Sequence, residues 1–356
     1  MEESRMTNKT VAVGMSGGVD SSVAAAVLKE KGYHVIGVTM RLWDGGEEAY
    51  QNTVEDARRV ADALGIEHHA LDFRQEFEGA VMEYFTREYL SGRTPNPCIA
   101  CNKALKFGAM RTAAAELGAQ KIATGHYGRV VRGEDGLWRL MRAENREKDQ
   151  TYVLYHLSQE QLSSVLLPLG DFKDKETIRK KAEELALPVA QKPDSQEICF
   201  IPDNDYAGFI LRRTGTEPPE GDFVDGSGHV LGRHRGILHY TIGQRKGLGI
   251  AFGKPMFVTR IDAGTNRIVL GESGTEFSSS LMAGDLNFIL PMDLSQKRKV
   301  LAKVRYAAKA APAQLWMDGG RIYVEFETPQ RAVTPGQAVV FYDETDTFVL
   351  GGGTIL

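Results

Sequence analysis

Two groups of residues in this sequence have the types and spacing that do chemistry. The first lies in Val11 to Leu28, VAVGMSGGVDSSVAAAVL. An apolar run ends in a turn holding Gly14, Met15, Ser16, Gly17, Gly18, Val19, Asp20 and Ser21, and an alanine-rich helix opens at Ser21 and Ser22. Small residues let backbone N–H groups close on an anion, and a helix N-terminus adds partial positive charge. The stretch therefore reads as a phosphate cradle. It lacks the lysine of GxxxxGK[ST], so the kinase or GTPase reading loses, and it lacks the GxGxxG spacing of a dinucleotide fold.

The second group is the thiols, Cys98, Cys101 and Cys199. An odd count of three argues against a disulfide framework and turns attention to reactivity. Cys98 and Cys101 form a CxxC in a proline-bounded loop just before a helix start, where the helix dipole favours a thiolate, and Lys103 and Lys106 add positive charge. This is half a zinc set, with no second CxxC or CxxH, and it lacks a thioredoxin-like context. Cys199, between Ile198 and Phe200, reads equally well as a buried apolar thiol. The eight histidines have no HxxxH or HExxH spacing, so no hydrolytic metal site is expected.

The elements that must position these groups follow a recognisable rhythm. With 356 residues, two or three domains are expected, and 42% hydrophobic with 25% charged residues is a globular composition. No run of about 18 apolar residues occurs and MEESRMTNKT has no apolar signal region, which predicts a cytoplasmic protein without membrane attachment. A net charge of −4 gives no support to a generally basic nucleic-acid binder, so any RNA contact is local.

After the first strand and helix come strand Tyr33–Met40, a polar loop over Arg41–Asn52, a helix opening at Thr53 and a strand over Ile66–Leu71. Gln75–Leu90 reads as helix, and Ser91–Cys101 as an exposed extended segment forced by Pro95 and Pro97. Helix Asn102–Leu117 and strand Lys121–Thr124, ending in Gly125 and His126, complete the βαβα pattern of a doubly wound parallel sheet. Tyr127–Arg142 suggests a β-hairpin attached to that sheet domain. Helices are expected over Gln159–Leu166, Lys173–Leu185 and Asp205–Arg213, with an extended passage over Asp194–Pro202. Beyond about Gly215 short glycine-punctuated strands take over, and from about Phe277 they suit a small antiparallel barrel. Lys297–Lys309, KRKVLAKVRYAAK, is a basic run without an acidic residue and carries Tyr306, which suits either RNA contact or a solvated strand.

SGGVDSS resembles the PP-loop of ATP pyrophosphatases, enzymes that transfer AMP and release pyrophosphate. Together with NPCIACNKALKF, ATGHY, KDQTYVLY, DSQEICFIP, YTIGQRKGLG and PGQAVVFY, in that order, it resembles the tRNA-specific 2-thiouridylase family from about Val11 to the C-terminus. The resemblance implies an α/β PP-loop catalytic domain over 1–214, a small central domain over 215–276 and a tRNA-contacting antiparallel β-barrel over 277–356. It implies ATP-dependent replacement of oxygen by sulfur at carbon 2 of the wobble uridine in tRNAs for lysine, glutamate and glutamine, with Mg²⁺ on the departing pyrophosphate.

By the same resemblance Gly14–Ser21 holds phosphates, Met40 lies against adenine and Gly125 permits close approach to the nucleotide. Cys199 carries a persulfide charged by a cysteine desulfurase or a sulfur-relay protein, and Cys101 is the thiol that releases the sulfur and can end in a disulfide with Cys199. Asn96, Pro97, Cys98, His126, Lys148, Asp149, Gln150, Arg305, Tyr306 and Gln337 are implied to meet tRNA or its target base. Cys98 stands where many members have an aspartate, and a thiol is a different proton carrier from a carboxylate. Three cysteines that converge would also permit a second reading, an iron–sulfur cluster with one iron open to sulfur. A PP-loop ligase for a small substrate, or an RNA-binding scaffold, leaves the separated thiols without a task.

Overall fold

In the computed structural model of the chain, residues 9–44, 47–193 and 198–356 are described. The first strands are β1 (Thr10–Gly14), β2 (His34–Arg41), β3 (Glu67–Asp72) and β4 (Lys121–Ala123). A hairpin, β5 (Arg129–Arg132) and β6 (Trp138–Met141), precedes the short β7 (Val165–Leu166). The parallel sheet runs in the order β3-β2-β1-β4-β7. Val11, Ala12 and Val13 are fully buried, which is why β1 is a continuous apolar run and not an alternating one. The order reverses between β1 and β4, and a crevice at their carboxyl ends is where such sheets take ligands.

The helices of this part are α1 (Val19–Glu30), α2 (Glu47–Leu64), α3 (Arg74–Phe77), α4 (Tyr84–Leu90), α5 (Pro97–Cys101), α6 (Met110–Glu116), α7 (Gln159–Ser164), α8 (Lys175–Glu184) and α9 (Tyr206–Thr214). Wide π-type turns over Glu78–Glu83 and Asn102–Ala109 join α3 to α4 and α5 to α6. Several boundaries differ from those expected. Helix α1 begins at Val19 with Gly18 as its N-cap, because the hydroxyls of Ser21 and Ser22 turn back to the Gly18 carbonyl instead of capping. Helix α2 begins at Glu47, not Thr53, since EEAYQN contains no breaker. Helix α7 stops at Ser164, and Val165–Leu166 becomes the fifth strand of the sheet.

The segment with Pro95 and Pro97 is neither wholly extended nor exposed. Asn96 accepts from the backbone N–H groups of Cys98 and Ile99, and Pro97 takes the first helical position, where its missing donor costs nothing. Both prolines are buried.

The central part contains β8 (Gly221–Val224), β9 (Val230–His234), β10 (Met256–Asp262) and β11 (Arg267–Glu272), in the order β10-β11-β8-β9. The last strands are β12 (Phe277–Phe288), β13 (Arg298–Lys303), β14 (Ala311–Asp318), β15 (Arg321–Arg331), β16 (Ala338–Tyr342) and β17 (Phe348–Ile355). Pairing of β12 with β17 closes these six into an antiparallel barrel, which leaves no open edge between them. The β5–β6 hairpin joins this barrel through β17, not the parallel sheet as expected: an antiparallel ribbon finds matching partners there, Leu140 opposite Val349 and Met141 opposite Phe348. The hairpin therefore stitches the first part of the chain to the last.

Candidate functional site

The Gly14–Ser21 turn is shaped by three constraints. Met15 donates its N–H to the Val38 carbonyl at 2.8 Å, and Thr39 Oγ1 returns to the Met15 carbonyl at 2.9 Å, fixing the end of β1. Gly17 has φ +63°, and a Cβ there would sit 2.9 Å from the Thr53 carbonyl oxygen, so α2 closes on the loop only because this residue is glycine. Ser16 donates its N–H to Ser21 Oγ at 3.2 Å.

Gly125, just after β4, packs against the loop itself. A Cβ there would lie 2.8 Å from Ser21 N and 2.9 Å from Asp20 C, so its smallness lets β4 pack on the loop backbone. Met40 lies near the carboxyl end of β2, partly buried against the core.

Two lysines that the sequence reading missed converge on this loop. Lys175, the first residue of α8, places Nζ 2.7 Å from Asp20 Oδ1, to which Tyr127 Oη also donates at 2.8 Å. Lys192 donates to the Gly17 carbonyl at 3.0 Å and to Asp56 Oδ2 at 2.7 Å. Nothing local marks Lys175. Lys192 immediately precedes Pro193 and the DSQEICFIP motif, an adjacency that was visible in the sequence.

The three thiols form the second centre. Cys98 is exposed in the first turn of α5, whereas Cys101 is buried at its end with the helix running on through Asn102. Cys101 is therefore not at a helix N-terminus, and burial pushes its thiol pKa up, only partly opposed by Lys106. This reverses the expected activation of Cys101. Cys199 is exposed, not buried; the neighbouring Phe200 is the buried anchor, its ring 5.5 Å from those of Phe77 and Phe85 and 5.2 Å from that of Phe209. Its thiol pKa is nonetheless pushed up to about 12, by desolvation first and then by Cys101 and Cys98. All three sulfurs thus act on one another electrostatically. Of the DSQEICFIP passage, residues 194–197 lie outside the described residues. Among the described residues no three His, Cys, Asp or Glu side chains are gathered as a metal-binding group.

The residues expected to meet tRNA divide into two kinds. Tyr306 is exposed within electrostatic reach of Cys98. It stands edge-on to Tyr152 at 6.1 Å, with the Lys303 ammonium 5.4 Å from its ring. Arg305 donates to the Arg331 carbonyl at 3.3 Å. The others are committed within the protein. Asp149 is buried against Arg142 at 3.1 Å and accepts from Ala143 N and Thr151 Oγ1. Gln150 accepts from Tyr127 N at 2.9 Å, and Lys148 is half-buried.

His126 is buried with Nδ1 2.8 Å from Thr124 Oγ1, and desolvation holds its pKa well below the usual range, so it is a neutral interior group and not a surface cation. Gln337 donates to the carbonyls of Thr94 and Pro95. The basic run is part strand β13, with Lys297 paired to Glu325 and Arg298 to Asp293.

Family models match along the chain: a tRNA methyl transferase HUP domain over residues 9–203, a tRNA methyl transferase PRC-barrel domain over 207–272 and an aminomethyltransferase beta-barrel domain over 278–355. A tRNA-specific 2-thiouridylase of Acetivibrio thermocellus is 53% identical over 98% of this chain and 100% of its own length. The chain belongs to the tRNA-specific 2-thiouridylase family. The 2-thiouridylase of Carboxydothermus hydrogenoformans is 52% identical over 98% of this chain and 97% of its own, and that of Clostridioides difficile 50% identical over 98% of each. As in the expectation drawn from its motifs, this 2-thiouridylase chain combines a parallel α/β sheet, a small central part and a closed barrel.

Proposed function

We propose that this chain transfers sulfur to carbon 2 of the wobble uridine of tRNAs for lysine, glutamate and glutamine, working in the cytoplasm. What supports the reading is that Cys199, from a distant part of the chain, lies within electrostatic reach of Cys101 and Cys98, in a protein whose Gly14–Ser21 turn suits a phosphate. Methyl transfer, the chemistry for which the matching families are named, gives neither feature a task.

The uridine O2 attacks the α-phosphorus of ATP and pyrophosphate leaves, because an unactivated carbonyl oxygen is a poor leaving group. The backbone of Gly14–Ser21 and the ammonium of Lys175 suit a polyphosphate. Asp20 is the carboxylate within the Gly14–Ser21 turn, so Mg²⁺ fits only when phosphate oxygens supply most of its ligands; it would neutralise the departing pyrophosphate there.

The terminal sulfur of a Cys199 persulfide then adds to carbon 2 and AMP leaves. The Cys101 thiolate attacks the inner sulfur of Cys199, leaving the outer sulfur on the base and a Cys101–Cys199 disulfide that a thiol reductant reopens. A cysteine desulfurase or a relay protein recharges Cys199. Cys98 stands beside the target base, where a thiol replaces a carboxylate.

The test is tRNA-dependent pyrophosphate release together with mass spectrometry of the wobble nucleoside. The reading predicts both release and 2-thiouridine. Release without tRNA, or none of either product, refutes it.

A further inference from the structure

Lys303, the last residue of β13, carries a charge and yet is only 7% exposed. Val300, Ala302 and Val304 pack inside the barrel, so by the alternation of a strand Leu301 and Lys303 point outward. Outward here is the seam with the α/β part. Leu301 packs against the core that contains Tyr152, and Lys303 Nζ stands 5.6 Å from the centre of the Tyr152 ring and 5.4 Å from that of Tyr306. A seam position of this kind is ordinarily apolar, because a buried ammonium costs free energy unless a counter-charge or a hydrogen bond meets it. Among the described residues no carboxylate lies within ion-pair distance of Lys303. Asp149 and Asp346, whose charges reach it, are both bonded to Arg142, and the guanidinium repels the ammonium. Desolvation and then Arg142 accordingly lower the Lys303 pKa. Tyr306, one of the two rings that flank the ammonium, is 44% exposed and lies within electrostatic reach of Cys98.

We propose that Lys303 is a tRNA-binding residue whose counter-ion is a backbone phosphate flanking the target uridine, taken up while Tyr306 stacks on a neighbouring base. This rests on the reading of the chain as a sulfur transferase that holds the target base beside Cys98. A nucleotide presents a π-face and a phosphate together, and an exposed ring with an uncompensated ammonium 5.4 Å from its centre answers both. Contact with two rings already fixes the ammonium before RNA arrives, so little side-chain freedom is lost on binding. Lys297 and Arg298 differ in this respect, since each already has a carboxylate partner.

The experiment measures tRNA binding by filter retention across a salt series. It uses the full chain and a lysine tRNA with either its natural backbone or one neutral methylphosphonate on the 5′ or the 3′ side of the wobble uridine. Lys303→Met keeps an unbranched stem between the rings and removes the charge. It should weaken binding of the natural tRNA about tenfold and lower the slope of log affinity against log salt by about 0.7, the share of one single-stranded phosphate. Lys303→Arg should retain most of both. One of the two methylphosphonates should cost the unaltered chain about tenfold and Lys303→Met less than about twofold, because there the pair is already broken. Lys303→Gln serves if Lys303→Met does not fold. An unchanged salt slope in the uncharged variant overturns the proposal. So do methylphosphonate losses that are the same in that variant as in the unaltered chain, which would leave Lys303 a packing residue. An unaltered chain that binds no tRNA refutes the sulfur-transferase reading instead.

Discussion

Gln337, in the turn before the barrel strand β16, donates its side-chain amide to the Thr94 carbonyl at 2.8 Å and to the Pro95 carbonyl at 3.2 Å. Thr94 N in turn donates to the Pro335 carbonyl at 2.9 Å. The barrel therefore holds the backbone just ahead of Asn96, the cap of the helix that carries Cys98 and Cys101. A residue that the resemblance placed at the tRNA also fixes the thiol-bearing turn.

Replacing Gln337 by alanine strands two carbonyls and should cost about 1–3 kcal/mol of stability. Thiolation should fall while the salt dependence of tRNA binding stays unchanged, because no phosphate contact is removed. A melting curve and a salt titration check this; a shallower salt slope would restore Gln337 to the RNA contacts.

Gly125→Ala drives a Cβ into the backbone of Asp20 and Ser21 and must displace the phosphate loop. Pyrophosphate release should drop by about 100-fold, the scale of an ångström misplacement in an active site, with the fold retained by circular dichroism. Unimpaired release would place the nucleotide away from this turn.

Cys199 has its thiol pKa pushed up to about 12, and burial moves that of Cys101 in the same direction. Labelling of Cys199 in the protein free of ligand should therefore keep rising about tenfold per pH unit from 7 to 10, where an ordinary thiol levels off near 8.5. A raised thiol pKa means that the folded chain keeps a proton that the unfolded chain releases, so this stabilising difference is lost as pH rises above the ordinary thiol value. A plateau near 8.5 would show that neither local desolvation nor the neighbouring thiols raise it.

Tyr306 is exposed beside Cys98, whereas Lys297 and Arg298 already have carboxylate partners. Tyr306→Ala should cost about 1–3 kcal/mol of tRNA affinity through lost base stacking. Replacing Lys297 and Arg298 by alanine should alter the salt slope by less than about one phosphate contact. The reverse ranking in a filter-binding assay would return the RNA surface to the basic run.

Much of this protein was legible along the chain. A buried apolar strand followed by small residues favours a tight turn into a helix, so the strand–turn–helix was readable from Val11 to Leu28. The strand–helix alternation and the later glycine-punctuated short strands likewise announced a parallel sheet and a barrel, since hydrophobic period and turn chemistry are local properties. Tertiary structure decided what depends on contact between distant segments. It sent the β5–β6 hairpin to the barrel because β17 had pairing groups to offer, and it turned Gln337 and Asp149 inward. It buried Cys101 while exposing Cys199, because Phe200 and not its neighbour fills the aromatic pocket. It brought Lys175 and Lys192 to a loop more than 150 residues away. No spacing rule encodes such meetings: which polar groups find one another across a fold is settled by packing, and packing is a property of the whole chain.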